Sequence, residues 1–237
     1  MKSVFSLLVI SILACGTANA ALDVAALERA MANPQRPAED KERDASRKAP
    51  QVLQFMGVEA GMTVLDVNAS TGWYTEVLSY AVGPSGKVYA QNRAGGQALE
   101  TMTPRAARLG NVESWTSAIS DVPANSVDFA ITALNLHDFH NNNPAVAQGI
   151  IGQVAGALRP GGIFAVIDHE GTVGADNASL HRIAFEDAVK AVIQSGQFAL
   201  VGASDVLDNP ADDHTRAPFD ESLGRNTDRI VLKFMKL

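Results

Sequence analysis

Between Met62 and Leu237, short apolar runs alternate with longer helical stretches, and this alternation leaves the chain very few architectures. "MTVLDV", "KVYAQ", "NVESWT", "VDFAITAL", "GIFAVIDH", "FALVGAS" and "DRIVLKFMK" are rich in β-branched or aromatic residues and bounded by Gly, Pro, Asn or Asp, which reads as seven strands. "WYTEVLSYAVG", "ALETMTPRAARLG", "PAVAQGIIGQVAGALRPGG" and "SLHRIAFEDAVKAVIQSG" are long enough to be helices between them. A helix joining two strands makes a right-handed crossover and sets the strands parallel, so helices cover both faces of the sheet. The expectation is an α/β, Rossmann-like, mostly parallel seven-stranded sheet over 61–237. Ligands of such sheets bind outside the carboxyl ends of the strands, so the residues that follow strands carry the functional information.

Upstream, "MKSVFSLLVISILACGTANA" has a positive start at Lys2, an apolar stretch too short to span a bilayer, and the small-x-small site Ala18-Asn19-Ala20. This reads as a signal peptide over 1–20 and an exported, periplasmic protein with no transmembrane segment after cleavage. The alternative is a lipid anchor through Cys15 in "ILAC". Cys15 is the sole cysteine, so plain export leaves neither a disulfide nor a thiolate metal site. Residues 21–60 form a helical flank. Val24, Leu27 and Met31 mark one helix, Val52, Leu53 and Met56 a second ending at Gly57, and "EDKERDASRK" between them reads as a solvated face. A formal charge of −7 without a Lys/Arg cluster argues against a nucleic-acid partner and for a small-molecule substrate.

The stretch "VLDVNASTGWYTEVL" has the frame of a nucleotide-binding turn: a strand, the acid Asp66, a short loop, then a helix. Asn68 enters positive φ more readily than other non-glycine residues, whereas Ser70 brings a Cβ and a hydroxyl to a place where a ligand approaches closely. The N-terminus of the helix near Gly72 offers free N–H groups to a carboxylate.

In strand order, and in "LRPGGIFAVIDH", the chain resembles the class I S-adenosylmethionine-dependent methyltransferase fold. In "GWYTEVL", "VGPSGKVYAQN", "LHRI", "NPADDHT" and "TDRIVLKF" it is similar to a family of small exported bacterial proteins described as predicted methyltransferases. The resemblance implies S-adenosylmethionine as cofactor. It sets Asp66 at the acid of the first loop, Asn68, Ser70 and Gly72 at its three glycine positions, and Asn92 where an acid ordinarily binds the ribose. The adenine-loop acid falls near Ser117 and is absent, with Asp121 the nearest acid.

All five histidines lie in the second half, and His137, His140 and His169 follow the fourth and fifth strands, at the rim where ligands bind. His181 is expected to open a helix beside Arg182, and His214 to lie in a loop over the same rim. His137 or His169 is a candidate general base, with Asp168 or Asp138 fixing its tautomer. Alternatively, His137, His140 and His169 could hold zinc or another divalent metal. Three functions are therefore open: a methyltransferase-like enzyme, a non-catalytic periplasmic small-molecule-binding protein, and a metal-dependent enzyme. Trp115 is expected in the core, and Trp73 and Tyr74 either against the sheet or on a ligand.

Overall fold

The computed structural model describes residues 20–237; the expected signal peptide, but for Ala20, and Cys15 lie outside the described residues. The flank comprises β1 (Ala20–Ala21), α1 (Val24–Met31), α2 (Ala38–Lys41), α3 (Asp44–Arg47), α4 (Ala49–Met56) and β2 (Glu59–Ala60). Asp23 caps α1 by accepting the Ala26 N–H at 2.9 Å, and α1 buries Leu27 and Met31. α4 has Pro50 in its first turn and ends at Gly57 in the left-handed conformation, the expected proline-in, glycine-out asymmetry.

The sheet domain follows as β3 (Thr63–Val67), α5 (Trp73–Val82), β4 (Lys87–Gln91), α6 (Gly96–Leu109), β5 (Val112–Trp115), β6 (Val127–Ala133), α7 (Leu136–Asn142), α8 (Pro144–Ala157), β7 (Leu158–Gly171), β8 (Ile183–Ala184), α9 (Phe185–Ile193), β9 (Phe198–Ala203) and β10 (Arg229–Lys236). All seven strands read from the sequence are present, in the order β5-β4-β3-β6-β7-β10-β9, and β8 adds a short pairing to the end of β7. β3 to β7 run parallel, and β10 lies antiparallel between β7 and β9. Side chains alternate across the sheet: Phe129 and Ile131 of β6 pack toward α4 and α5, while Ala130 belongs with α8 and α9 on the other face. The chain reverses its winding direction between β3 and β6, and the crevice for a ligand opens at their carboxyl ends.

Three local expectations are corrected. α9 begins at Phe185 rather than near Ser179, because Arg182 turns back to donate its N–H to Asn177 O at 3.0 Å and His181 takes φ 50°. "EDKERDASRK" is not a solvated face: Asp40 is buried and holds Arg105 at 2.7 Å and also Arg43, while nearby Arg36 is buried against Asp44 at 2.6 Å. A charge leaves water only when paired, and these partners supply the pairing. Trp115 is half-buried at the sheet edge, packed edge-on to Tyr89 at 5.2 Å.

Candidate active site

The loop after β3 keeps the shape of a glycine turn with only one of its three glycines. Asn68, Ser70 and Gly72 have φ of 52°, 53° and 89°, so two side-chain-bearing residues sit in the left-handed region. The end of β4 holds them there. Gln91 Oε1 accepts the Asn68 N–H at 3.0 Å and Gln91 O the Ala69 N–H at 2.8 Å. Asn92 Oδ1 accepts the Ser70 N–H at 2.8 Å, and Asn92 Nδ2 donates to Ser70 O at 3.0 Å. Asn92 is buried with both polar ends turned to the loop, so the residue aligned with the ribose acid clamps Ser70 instead. Gly72 is favoured by its φ of 89°, and a Cβ there would meet Met102 Cε at 2.8 Å and Arg105 Cδ at 2.9 Å, so those side chains would have to shift.

Asp66 ends β3 in a buried position and accepts the Thr75 hydroxyl at 2.6 Å. Burial pushes its carboxyl up to about 7, against the opposing pull of the Thr75 hydrogen bond. Asn135 accepts the Asn68 side-chain amide at 2.7 Å across the crevice. The crevice, of about 180 Å³, is bounded by Asp66, Asn68, Ser70, Thr71, Tyr74 and Asn135, with Arg43 and Arg47 of the flank over it.

A second cavity, of about 230 Å³, adjoins the first, and Leu134, Arg43 and Arg47 line both. Leu134 follows β6 with φ 62°, a strained backbone for a leucine. Beyond it, α7 turns His137 inward. Asp168, fully buried at the end of β7, accepts the His137 N–H at 2.8 Å and stands 2.6 Å from His137 Nδ1. A carboxylate only accepts, so Nδ1 carries the proton and Nε2 is left for the cavity. Burial pulls the His137 pKa down, but the Asp168 hydrogen bond and charge, helped by Asp138, raise it overall. His169, whose ring centroid is 5.8 Å from that of His137, differs. It meets Thr227 Oγ1 at 2.6 Å, and burial together with Arg229 and other cations holds its pKa well below the ordinary value. The two histidines are thus unequal: one has a carboxylate behind it, the other is neutral.

The remaining sequence candidates divide. Asp138 is exposed at the cavity mouth, its Oδ1 3.3 Å from His137 Nε2 and 3.2 Å from His181 Nδ1. Among the described residues these three are the group whose ligand atoms converge, within 4.8 Å, so His181 stands where His140 and His169 were expected in a metal set. His140 points its Nδ1 into a buried place without a partner. Although it is three residues from His137 on α7, His140 does not line the cavity. His214 pairs with Asp228 at 2.9 Å, outside the cavity. "LHRI" and "NPADDHT" meet through a fully buried pair, Arg182 with Asp212 at 2.8 and 2.9 Å, which fixes the loop carrying Pro218 and Phe219 over the histidines. Asp121 is exposed in a short 3₁₀ turn away from both cavities. Trp73 and Tyr74 are buried, with the Arg47 guanidinium 4.6 Å above the Trp73 ring.

Sequence reasoning passed over Arg47 and Arg229. Arg47 lay inside a run of charges, and Arg229 reads as the start of an ordinary strand; no periodicity marks either. Gln91, one residue before Asn92, gave equally little sign of its loop contacts.

No family model matches the chain, and none of the curated proteins matches it. Solved structures do. A SAM-dependent methyltransferase from Aquifex aeolicus superposes with a TM-score of 0.61 at 20% identity, over 91% of this chain and 99% of that one. CrArsM, an arsenic(III) S-adenosylmethionine methyltransferase from Chlamydomonas reinhardtii, gives 0.55 at 17% identity, over 89% and 72%. Aeropyrum pernix fibrillarin, solved with natively bound S-adenosyl-L-methionine, gives 0.54 at 14% identity, over 81% and 76%. The chain has the class I S-adenosylmethionine-dependent methyltransferase fold.

Proposed function

We propose that this protein is an S-adenosylmethionine-dependent methyltransferase acting on a small molecule, with His137 as general base oriented by Asp168. One observation carries the reading: the crevice at the β3 turn opens beside the cavity that holds the Asp168–His137 pair, with Leu134 between them. A methyl donor in the first and an acceptor in the second would be neighbours.

The residues present suit the amino-acid half of the cofactor. Its carboxylate would find the first-turn N–H groups of α5, and its ammonium the oxygens of Asp66, Asn68 and Asn135. The left-handed φ of Asn68 and Ser70 supports this, since the turn keeps the shape that a close ligand requires. Bound there, the cofactor supplies an electrophilic methyl group on sulfonium. The ribose side is weaker, because Asn92 is engaged by Ser70.

The chain's own part is proton transfer and positioning. His137 Nε2 takes the proton of an acceptor hydroxyl or amine as its nucleophilic atom gains a methyl group. Asp168 holds the imidazole in the required tautomer and stabilises the imidazolium, and Asp138 at the mouth gives the proton a route to His181 and water. The loop with Pro218 and Phe219 gives the cavity an apolar wall. The signal-like leader extends the proposal to a protein working outside the cytoplasm.

The test is calorimetric titration of the mature, metal-free protein with S-adenosylmethionine and its demethylated product. Binding that is lost in Gly72→Val and Asp66→Ala supports the reading. No binding to folded protein rejects it in favour of a binding protein for another ligand.

A further inference from the structure

We infer that the histidine cavity is built for an acceptor bearing an oxyanion, a carboxylate or phosphoryl group, held by Arg47, Arg225 and Arg229. The three arginines line one cavity, and none of them forms an ion pair among the described residues. The arginines around them are all paired: Arg36 with Asp44, Arg43 with Asp40, Arg105 with Glu76 and Asp40, Arg182 with Asp212. Among the described residues other cations also lack an ion pair, Arg29 and Arg93 on the exposed surface for example, but Arg47, Arg225 and Arg229 are three unpaired guanidinium groups gathered at one cavity.

Arg229 makes the case most strongly. It is 3% exposed, and its N–H groups reach Ser46 O at 2.9 Å, Arg225 O at 2.7 Å and Thr227 Oγ1 at 3.2 Å. Those partners fix the guanidinium without neutralising it, and a buried charge without a counter-charge is costly. Arg47, stacked on Trp73, has no side-chain hydrogen-bond partner among the described residues, so its planar fork is free to take an oxyanion edge-on. Asp138, the acid on this wall, lies beside His137 and His181 rather than the arginines. Leu134, Pro218 and Phe219 supply an apolar side, which suits a ring or short chain between the oxyanion and the group that faces His137. The inference rests on the methyltransferase reading for which atom is methylated, but the recognition of charge is independent of it.

The experiment titrates the mature protein, without S-adenosylmethionine, with 4-hydroxybenzoate, phenyl phosphate and phenol, followed by calorimetry and tryptophan fluorescence. One of the two anions is expected to bind at least about tenfold more tightly than phenol, as charge-assisted hydrogen bonds imply, and the tighter one names the head group. Arg47→Met and Arg225→Gln should each weaken that anion by roughly tenfold and leave phenol unchanged. Arg225 is on an exposed loop, so its variant remains informative if Arg229→Met does not fold. Equal binding of phenol and the anions, no binding of any probe to folded protein, or no effect of either variant overturns the inference. A parallel S-adenosylmethionine titration separates the two proposals: protein that binds the anion but not the cofactor sinks the methyltransferase reading alone, and the converse sinks this one.

Discussion

Asp168→Asn isolates the most consequential contact in the site. The two carboxylate oxygens of Asp168 serve three donors: the His137 N–H on Oδ2 at 2.8 Å, and His137 Nδ1 at 2.6 Å and the His169 N–H at 2.8 Å on Oδ1. Asparagine has one oxygen and one NH₂ group, so one of these places sets donor against donor. A single orphaned buried donor costs about 1–3 kcal/mol. When His137 is protonated the substitution also breaks a buried ion pair, which brings the loss to about 3–5 kcal/mol. The pH dependence has a fixed sign. Because Asp168 raises the folded pKa of His137, the stability it contributes is fully present below the unfolded value near 6.5 and disappears as pH rises through the folded pKa. Urea unfolding should therefore show Asp168→Asn destabilising more at pH 5 than at pH 8.5, and an NMR titration of the His137 ring should show a lower pKa than wild type. If the proposed function holds, methyl transfer should fall by about 10²–10⁴, the usual worth of a general base, with cofactor affinity nearly unchanged. A destabilisation equal at both pH values with an unmoved His137 pKa would refute the pairing on which the mechanism depends.

Other perturbations test neighbouring parts of the argument. Ser70→Gly removes a left-handed non-glycine residue and should raise stability by about 1 kcal/mol, read as a higher Tm; a lower Tm would mean the serine is unstrained. Asp66 keeps its proton in the fold up to about pH 7 but ionises near 3.8 when unfolded, so stability should fall by up to about 4 kcal/mol as pH rises between those values. Asp66→Asn should flatten that slope in denaturant titrations at pH 5 and pH 8, and a slope that persists contradicts the assignment. Arg182→Met leaves Asp212 charged and buried, and should cost about 3–5 kcal/mol and open 209–219 to limited proteolysis. Proteolysis at the wild-type rate would show that the pair does not hold the loop.

Much of the architecture is legible in the chain because period-two and period-3.6 hydrophobicity are local properties. Six of the seven strands fall within the runs read from the sequence, while β7 begins at Leu158, in a stretch read as helix, and runs on to Gly171; the parallel order follows from the helical crossovers. Helix ends were less legible. His181 and Arg182 sit in a helix-like stretch, yet tertiary contacts from Arg182 to Asp212 and Glu170 O pull them into a turn. The β3 turn lies between these cases: its frame is local, but the left-handed state of Ser70 depends on Asn92, brought beside it by the parallel pairing of β3 with β4.

What the sequence determined by itself is the layered α/β plan and the placement of His137, Asp168 and His169 at strand ends, since strand polarity alone puts such residues on the ligand-binding rim. What the tertiary structure decided is their inequality. Asp168 stands behind His137 and not behind His169, His140 turns away, and Arg47 and Arg229 arrive from opposite ends of the chain to face the same cavity unpaired. The physical reason is that burial and charge pairing, which set pKa and binding chemistry, depend on groups distant in sequence that meet only once the sheet has closed its register.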